Sequence, residues 1–111
     1  MNCTAIDWEA RHQIEPNILV NGTPVGMHPN VDHTPFDKRR IDSTMVVFDT
    51  VYNPESTLLI KDARAAGAKV VTGVEMFVRQ AAYQFKLFTG QEAPIQLMRD
   101  TLKRATGAAK Y

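Results

Sequence analysis

Three short strand-like segments constrain the fold more than any other feature of this chain: the apolar runs Ile18-Leu19-Val20 and Met45-Val46-Val47-Phe48, and the β-branched stretch Lys69-Val70-Val71-Thr72. In the first, β-branched and aliphatic side chains follow one another without the polar alternation of a strand that has one wet face, so Ile18 to Val20 reads as a strand buried on both faces. Met45 to Phe48 is the next buried-strand candidate and Lys69 to Thr72 a third short strand. Between the second and third runs, Asn53-Pro54 breaks the chain, Ser56 is the candidate helix cap, and Gly67 ends the helix by supplying a left-handed conformation. After the third run a long helix is expected from Val74 to Thr89, stopped by Gly90. Pro94 opens a last helix through Ala105, with Ile95, Met98 and Leu102 at core spacing. Strand, helix, strand, helix with short links is the pattern of a parallel α/β sheet with right-handed crossovers. At 111 residues, one domain spanning residues 1–111 is expected, with a sheet of only about three strands.

The remaining segments carry weaker signals. Thr4 to Asp7 is a candidate fourth strand, and Trp8 to His12 is too short for a stable helix of its own. Asn21 to Asp42, broken by Pro24, Pro29 and Pro35, reads as a long loop with one turn of helix around Asp37 to Arg40. Loops of that length inside a small domain are usually functional or mobile.

Charge and composition narrow the function classes. Thirteen basic against twelve acidic residues leave a formal net charge of +1, which offers no field for nucleic acid or an anionic membrane surface. No apolar run approaches the ~20 residues needed to span a bilayer, and MNCTAIDWEARH has no basic start leading into an apolar stretch. Cys3 is the only cysteine, so an internal disulfide or a four-cysteine zinc site is excluded, and a cytoplasmic setting is expected. His28, Asp32 and His33 sit among prolines with no register to aim them at one ion, so no metal site is assigned. The glycines fall at 22, 26, 67, 73, 90 and 107, which leaves no glycine-rich loop for a pyrophosphate at a helix N-terminus.

Ligands of open parallel sheets lie outside the carboxyl ends of the strands. Three such ends can be read: Asn21 to Pro24, Asp49 to Pro54 and Thr72 to Met76. Each joins a small or turn-forming residue to a side chain able to hydrogen-bond. On the long helix, Val74, Phe77, Val78, Ala81, Ala82, Phe85 and Phe88 gather on one core face, with Arg79 and Lys86 opposite. Met76, Gln80, Tyr83 and Gln84 form a stripe beside that face, from which Gln80 can reach over the strand ends or lie half-buried as a bystander.

Taken together, ILVNGTPVGMHP (residues 18–29), VVFDTVYNPESTLLIKDARAAGAKVVTG (46–73) and VEMFVRQAAYQFKLFTGQEAP (74–94) resemble the C-terminal portion of shikimate dehydrogenase. The detail is most similar to the dehydrogenase half of bifunctional dehydroquinate dehydratase–shikimate dehydrogenases. The resemblance implies the second half of a Rossmann-like NADP-binding domain plus its closing helices, from an enzyme that interconverts 3-dehydroshikimate and shikimate. It also implies roles for particular residues. Tyr52 and Gln80 match positions that hydrogen-bond shikimate, while Thr23, Thr50, Val51, Gly73 and Met76 match positions around the nicotinamide half of NADP.

The departures from the family are equally definite. The substrate domain with its catalytic lysine–aspartate pair, the glycine-rich loop and the motif for the 2′-phosphate have no counterpart here. None of Lys38, Lys61, Lys69, Lys86, Lys103 or Lys110 sits in a motif that would replace the lysine. In the family sheet, the strand holding Ile18 to Val20 pairs with a strand that this chain lacks. A homodimer or a complementing chain through that edge is therefore expected, unless Thr4–Asp7 covers it. Three readings stay open: part of an NADP-dependent oxidoreductase, inactive alone; a non-catalytic shikimate-binding or oligomerisation module; and a folded gene remnant.

Overall fold

The computed structural model describes residues 2–106, so Lys110 lies outside the described residues. The strands β1 (Ile18–Asn21), β2 (Val46–Asp49) and β3 (Lys69–Val71) form one parallel sheet in the order β1-β2-β3. Register pairs Leu19 with Val47 and Val47 with Val70, and places Asn21 beside Asp49 at the shared carboxyl end. The helices are α1 (Leu58–Ala65), α2 (Gly73–Thr89) and α3 (Ile95–Thr106). Short 3-10 turns occupy Trp8–Gln13 and Lys38–Arg40. The expected α/β architecture is present. No described helix is long and apolar enough to cross a membrane.

Helix ends follow local chemistry. Thr57, rather than Ser56, caps α1: its Oγ accepts from the Ile60 N–H. Thr72 leaves β3 to cap α2, accepting from the Glu75 N–H. Gly67 follows α1 with φ +80°, a conformation that a Cβ would resist. Gly90 closes α2 in the same left-handed region.

The main core cluster occupies one face of the sheet. Val47 is fully buried among Phe36, Ile41, Met45, Leu59 and Ala63, with Leu19 and Val70 packed against the cluster. Both α1 and the long 22–45 connection supply that cover. The opposite face is open: Ile18 is 66% exposed and Val20 54% exposed, with Val46 and Phe48 half-buried and Val71 exposed. Burial of β1 on both faces is therefore corrected. A continuous apolar run signals a strand suited to two covered faces, but both crossover segments lie on the same side of this sheet.

Two further expectations change. Thr4–Asp7 forms no strand, and Ile6 and Trp8 instead line an apolar cavity of about 250 Å³ with Leu19 and Val20. Trp8–Gln13 does coil, held by tertiary contacts. His12 Nε2 accepts from the Asp37 N–H at 2.8 Å, its ring lies 4.9 Å from that of Phe36, and Arg11 Nε donates to the Pro35 carbonyl. On α2, Val74 and Val78 are buried and Ala81, Ala82 and Phe85 half-buried, but Phe77 is partly exposed and Phe88 is 87% exposed. Phe77, Val78 and Ala81 of α2 face Leu97, Met98, Thr101 and Leu102 of α3 across a shared apolar groove. A bidentate pair joins the two helices: Arg99 Nε donates to Glu75 Oε1 at 2.7 Å and Nη2 to Oε2 at 3.1 Å. The guanidinium holds the Glu75 carboxyl below its usual range.

Candidate functional site

Parallel pairing brings all three strand carboxyl ends to one side of the sheet. There the chain segments are fastened by a buried polar network. Asp49, with no exposed surface, accepts from Asn21 Nδ2 at 3.1 Å and the Val51 N–H at 3.0 Å through Oδ1, and from Thr57 Oγ at 2.7 Å through Oδ2. Asn21 spends its other groups locally. Its Nδ2 also donates to the Val25 carbonyl, and its Oδ1 accepts from both the N–H and the hydroxyl of Thr23, at 3.0 and 2.6 Å. Thr50 donates through its N–H and its hydroxyl to the Asn21 carbonyl. Among the described residues, no buried side-chain nitrogen or oxygen is left without a partner.

Gly73 completes the junction by close approach. A Cβ built there would lie 2.3 Å from the Val51 carbonyl oxygen and 2.7 Å from that of Thr50, well inside contact distance. The first turn of α2 can therefore sit against the β2 loop only because residue 73 has no side chain.

These fastenings shape a cleft of about 380 Å³. It is lined by Gly22, Thr23, Pro24 and Met27 from the β1 side, and by Thr50, Val51, Tyr52 and Asn53 from the β2 side. The His28 N–H donates to the Asn53 carbonyl, which ties the two walls together at the rim. Tyr52 is exposed at one edge, its ring 4.7 Å from that of Phe77 on α2.

Of the residues singled out from sequence, Thr23, Thr50, Val51 and Tyr52 line this one cleft, and Gly73 backs it through the Val51 carbonyl. Met76 is half-buried and Gln80 exposed, and neither lines the cleft. The stripe argument for Gln80 gave its azimuth on α2; the structure puts it one turn beyond Phe77, facing outward. Sequence reasoning placed Asn21 and Asp49 at the strand ends without giving them a role and did not name Thr57, yet these three hold the walls. A signal was present: both apolar runs end abruptly on a polar residue, Asn21 and Asp49, at matching strand ends.

The lining is neutral, with hydroxyls, backbone groups and a proline but no lysine or arginine. A carboxamide-bearing ring or a polyol fits such a surface, whereas a phosphate would find no cation in it. The nicotinamide half of a dinucleotide therefore fits the donor set of this cleft, and its phosphates would have to lie elsewhere.

A sequence model described as the Shikimate 5'-dehydrogenase C-terminal domain matches residues 73–103. The chain matches the C-terminal part of shikimate dehydrogenase. It is 50% identical over 94 residues to the NADP(+) shikimate dehydrogenase of Methanosarcina acetivorans, covering 85% of this chain and 34% of that protein. It is 45% identical over 91 residues to the chloroplastic bifunctional 3-dehydroquinate dehydratase/shikimate dehydrogenase of Arabidopsis thaliana, covering 82% of this chain and 15% of that protein. The fold likeness agrees. A shikimate dehydrogenase solved in complex with NADP+ superposes with a TM-score of 0.79 at 33% identity, over 87% of this chain and 35% of that one. The chain thus spans about a third of the length of the single-function relatives it matches.

Proposed function

We propose that this chain is the C-terminal nucleotide-domain portion of an NADP-dependent shikimate dehydrogenase, with residues 1–111 forming one domain that contributes a wall of the active site. The cleft between the β1 and β2 ends carries the reading, because Thr23, Thr50, Val51 and Tyr52 line it together and Gly73 backs it. In this reading Thr23, Thr50, Val51, Gly73 and Met76 surround the nicotinamide half of NADP. Tyr52, and Gln80 on the adjoining helix, face shikimate or 3-dehydroshikimate. Gln80 acts from outside the described cleft, so its ligand approaches from the open side next to Phe77.

Hydride transfer to and from a hydroxyl-bearing carbon needs a proton acceptor and donor at that hydroxyl, and such help is typically worth about 10²–10⁴ in rate. These residues offer no lysine–aspartate pair in a motif for that task. Residues 1–111 by themselves are therefore a binding surface without its catalyst, and turnover requires polypeptide beyond them that supplies the rest. The open β1 edge beside Ile18 and Val20 is where that polypeptide, or a second copy of this chain, adds a strand. The same exposed edge favours a second reading, a non-catalytic shikimate-binding or oligomerisation module of cytoplasmic setting.

The deciding experiment is an NMR titration of the ¹⁵N-labelled chain with shikimate and, separately, NADP. The expected result is shifts at Tyr52, Gly73 and Gln80 that are lost for shikimate in Gln80→Ala. No shift at millimolar ligand would reduce the family likeness to scaffold.

A further inference from the structure

We infer that Asn21 sets the hydrogen-bond polarity of Thr23, so that this point of the cleft accepts a neutral N–H or O–H donor from its ligand and rejects an anion. The inference rests on the cleft being the site of the nicotinamide half, and it assigns an atom-level selectivity there.

The orientation of the Asn21 amide is decided by its neighbours. The backbone N–H of Thr23 can only donate, so the Asn21 oxygen lies on that side, at 3.0 Å. The Val25 carbonyl and the Asp49 carboxylate only accept, and both take the Asn21 NH₂, at 3.2 and 3.1 Å. Asn21 and Asp49 are both buried, so water does not compete for these groups. The amide cannot turn over without facing donor against donor on one side and acceptor against acceptor on the other.

Thr23 inherits that direction. Its hydroxyl lies 2.6 Å from Asn21 Oδ1, an atom that only accepts, so the single hydroxyl hydrogen is spent there. One lone pair takes the Val25 N–H at 3.2 Å. What remains on Thr23 Oγ is one lone pair and no hydrogen. A carboxamide NH₂ or a hydroxyl of the ligand can use it, while a carboxylate or phosphate oxygen meets acceptor against acceptor. Nothing else in the lining offsets that mismatch with positive charge. Asn21 is thus a positioning residue that acts through Thr23.

The test uses nicotinamide mononucleotide and nicotinic acid mononucleotide, which differ only in a carboxamide against a carboxylate. Each is titrated into the ¹⁵N-labelled chain. Wild type should bind the carboxamide form on the order of tenfold more tightly, read at Thr23, Val51 and Gly73. Thr23→Val keeps the shape and removes the lone pair, so the preference should vanish; Thr23→Ser should restore it. Equal binding of both probes by wild type, or a preference that survives in Thr23→Val, overturns the polarity assignment while leaving the cleft as a nucleotide site. Absence of shifts with either probe overturns the nicotinamide reading and this inference with it.

Discussion

Asn21 Nδ2 donates to Asp49 Oδ1 at 3.1 Å, and the two residues are register partners at the carboxyl ends of β1 and β2. A side-chain bond therefore reinforces the last rung of the ladder, beside the backbone bond from the Thr50 N–H to the Asn21 carbonyl, where the strands pass into loops. Asp49 also receives the Val51 N–H and the Thr57 hydroxyl, so one carboxylate fixes Val51 in the cleft wall and the cap of α1 together. Site geometry and helix start share a single buried anchor.

Replacing that anchor should cost stability as well as shape. Asp49→Ala leaves three buried donors unpaired, each worth about 1–3 kcal/mol when stranded, less whatever water recovers. A loss of about 3 kcal/mol or more is expected in urea unfolding. Asp49→Asn can still accept from Asn21 and Val51 but turns an NH₂ toward Thr57, and should lose roughly 1–2 kcal/mol. A change within error for Asp49→Ala would mean that the network is not a shared anchor.

Gly73→Ala tests the close approach behind that same wall. The new methyl would lie 2.3 Å from the Val51 carbonyl oxygen, and backbone cannot yield as a flexible side chain can. The expected cost is about 1–3 kcal/mol, with amide shifts at Thr50, Val51 and Tyr52. By contrast, Gly22→Ala meets nothing within 4 Å and should leave the fold unaltered. Similar stability in the two variants would contradict this account.

The parts that were legible in the sequence are those set by nearby residues. Gly90 stops α2 because a left-handed residue ends a helix locally, and the three strands announce themselves by composition. What escaped depends on distant partners. Ser56 and Thr57 offer equivalent hydroxyls to α1, and Thr57 takes the role because the Asp49 carboxylate, eight residues earlier, receives its hydrogen. Burial of Ile18 and Val20 depends on whether any segment crosses the second face, which no run of residues encodes by itself. For Gln80, periodicity gives the angle around α2 but not how far the helix projects past the sheet. The cleft was legible in outline, through four of its lining residues, because parallel strands must place their ends together.

The Glu75–Arg99 pair makes the docking of α3 sensitive to acid. Arg99 holds the Glu75 carboxyl below its usual range, so the folded state binds this proton less readily than the unfolded chain. The contribution is therefore complete above the ordinary glutamate range and is lost as pH falls through the lowered folded value. Glu75→Gln should unfold at lower temperature than wild type near neutral pH, with the gap closing as the solution is acidified. Half-exposure of Glu75 and screening by salt keep the effect small. A gap that is constant with pH would assign the loss to packing rather than to charge.

The open edge of β1 predicts self-association. Ile18 and Val20 stand exposed on a strand that has one neighbour among the described residues, and β1 itself carries no charged residue or proline to discourage pairing. Sedimentation of the chain should show a concentration-dependent dimer, with the Ile18–Val20 amides protected from hydrogen exchange. Ile18→Lys places a charge on the open face at a residue that is 66% exposed and outside the apolar cavity lined by Val20 and Leu59, so it should give a monomer with unchanged secondary structure. A wild-type chain that stays monomeric at every concentration, with those amides exchanging freely, would remove the edge as an interface. The open face would then need a different polypeptide to cover it.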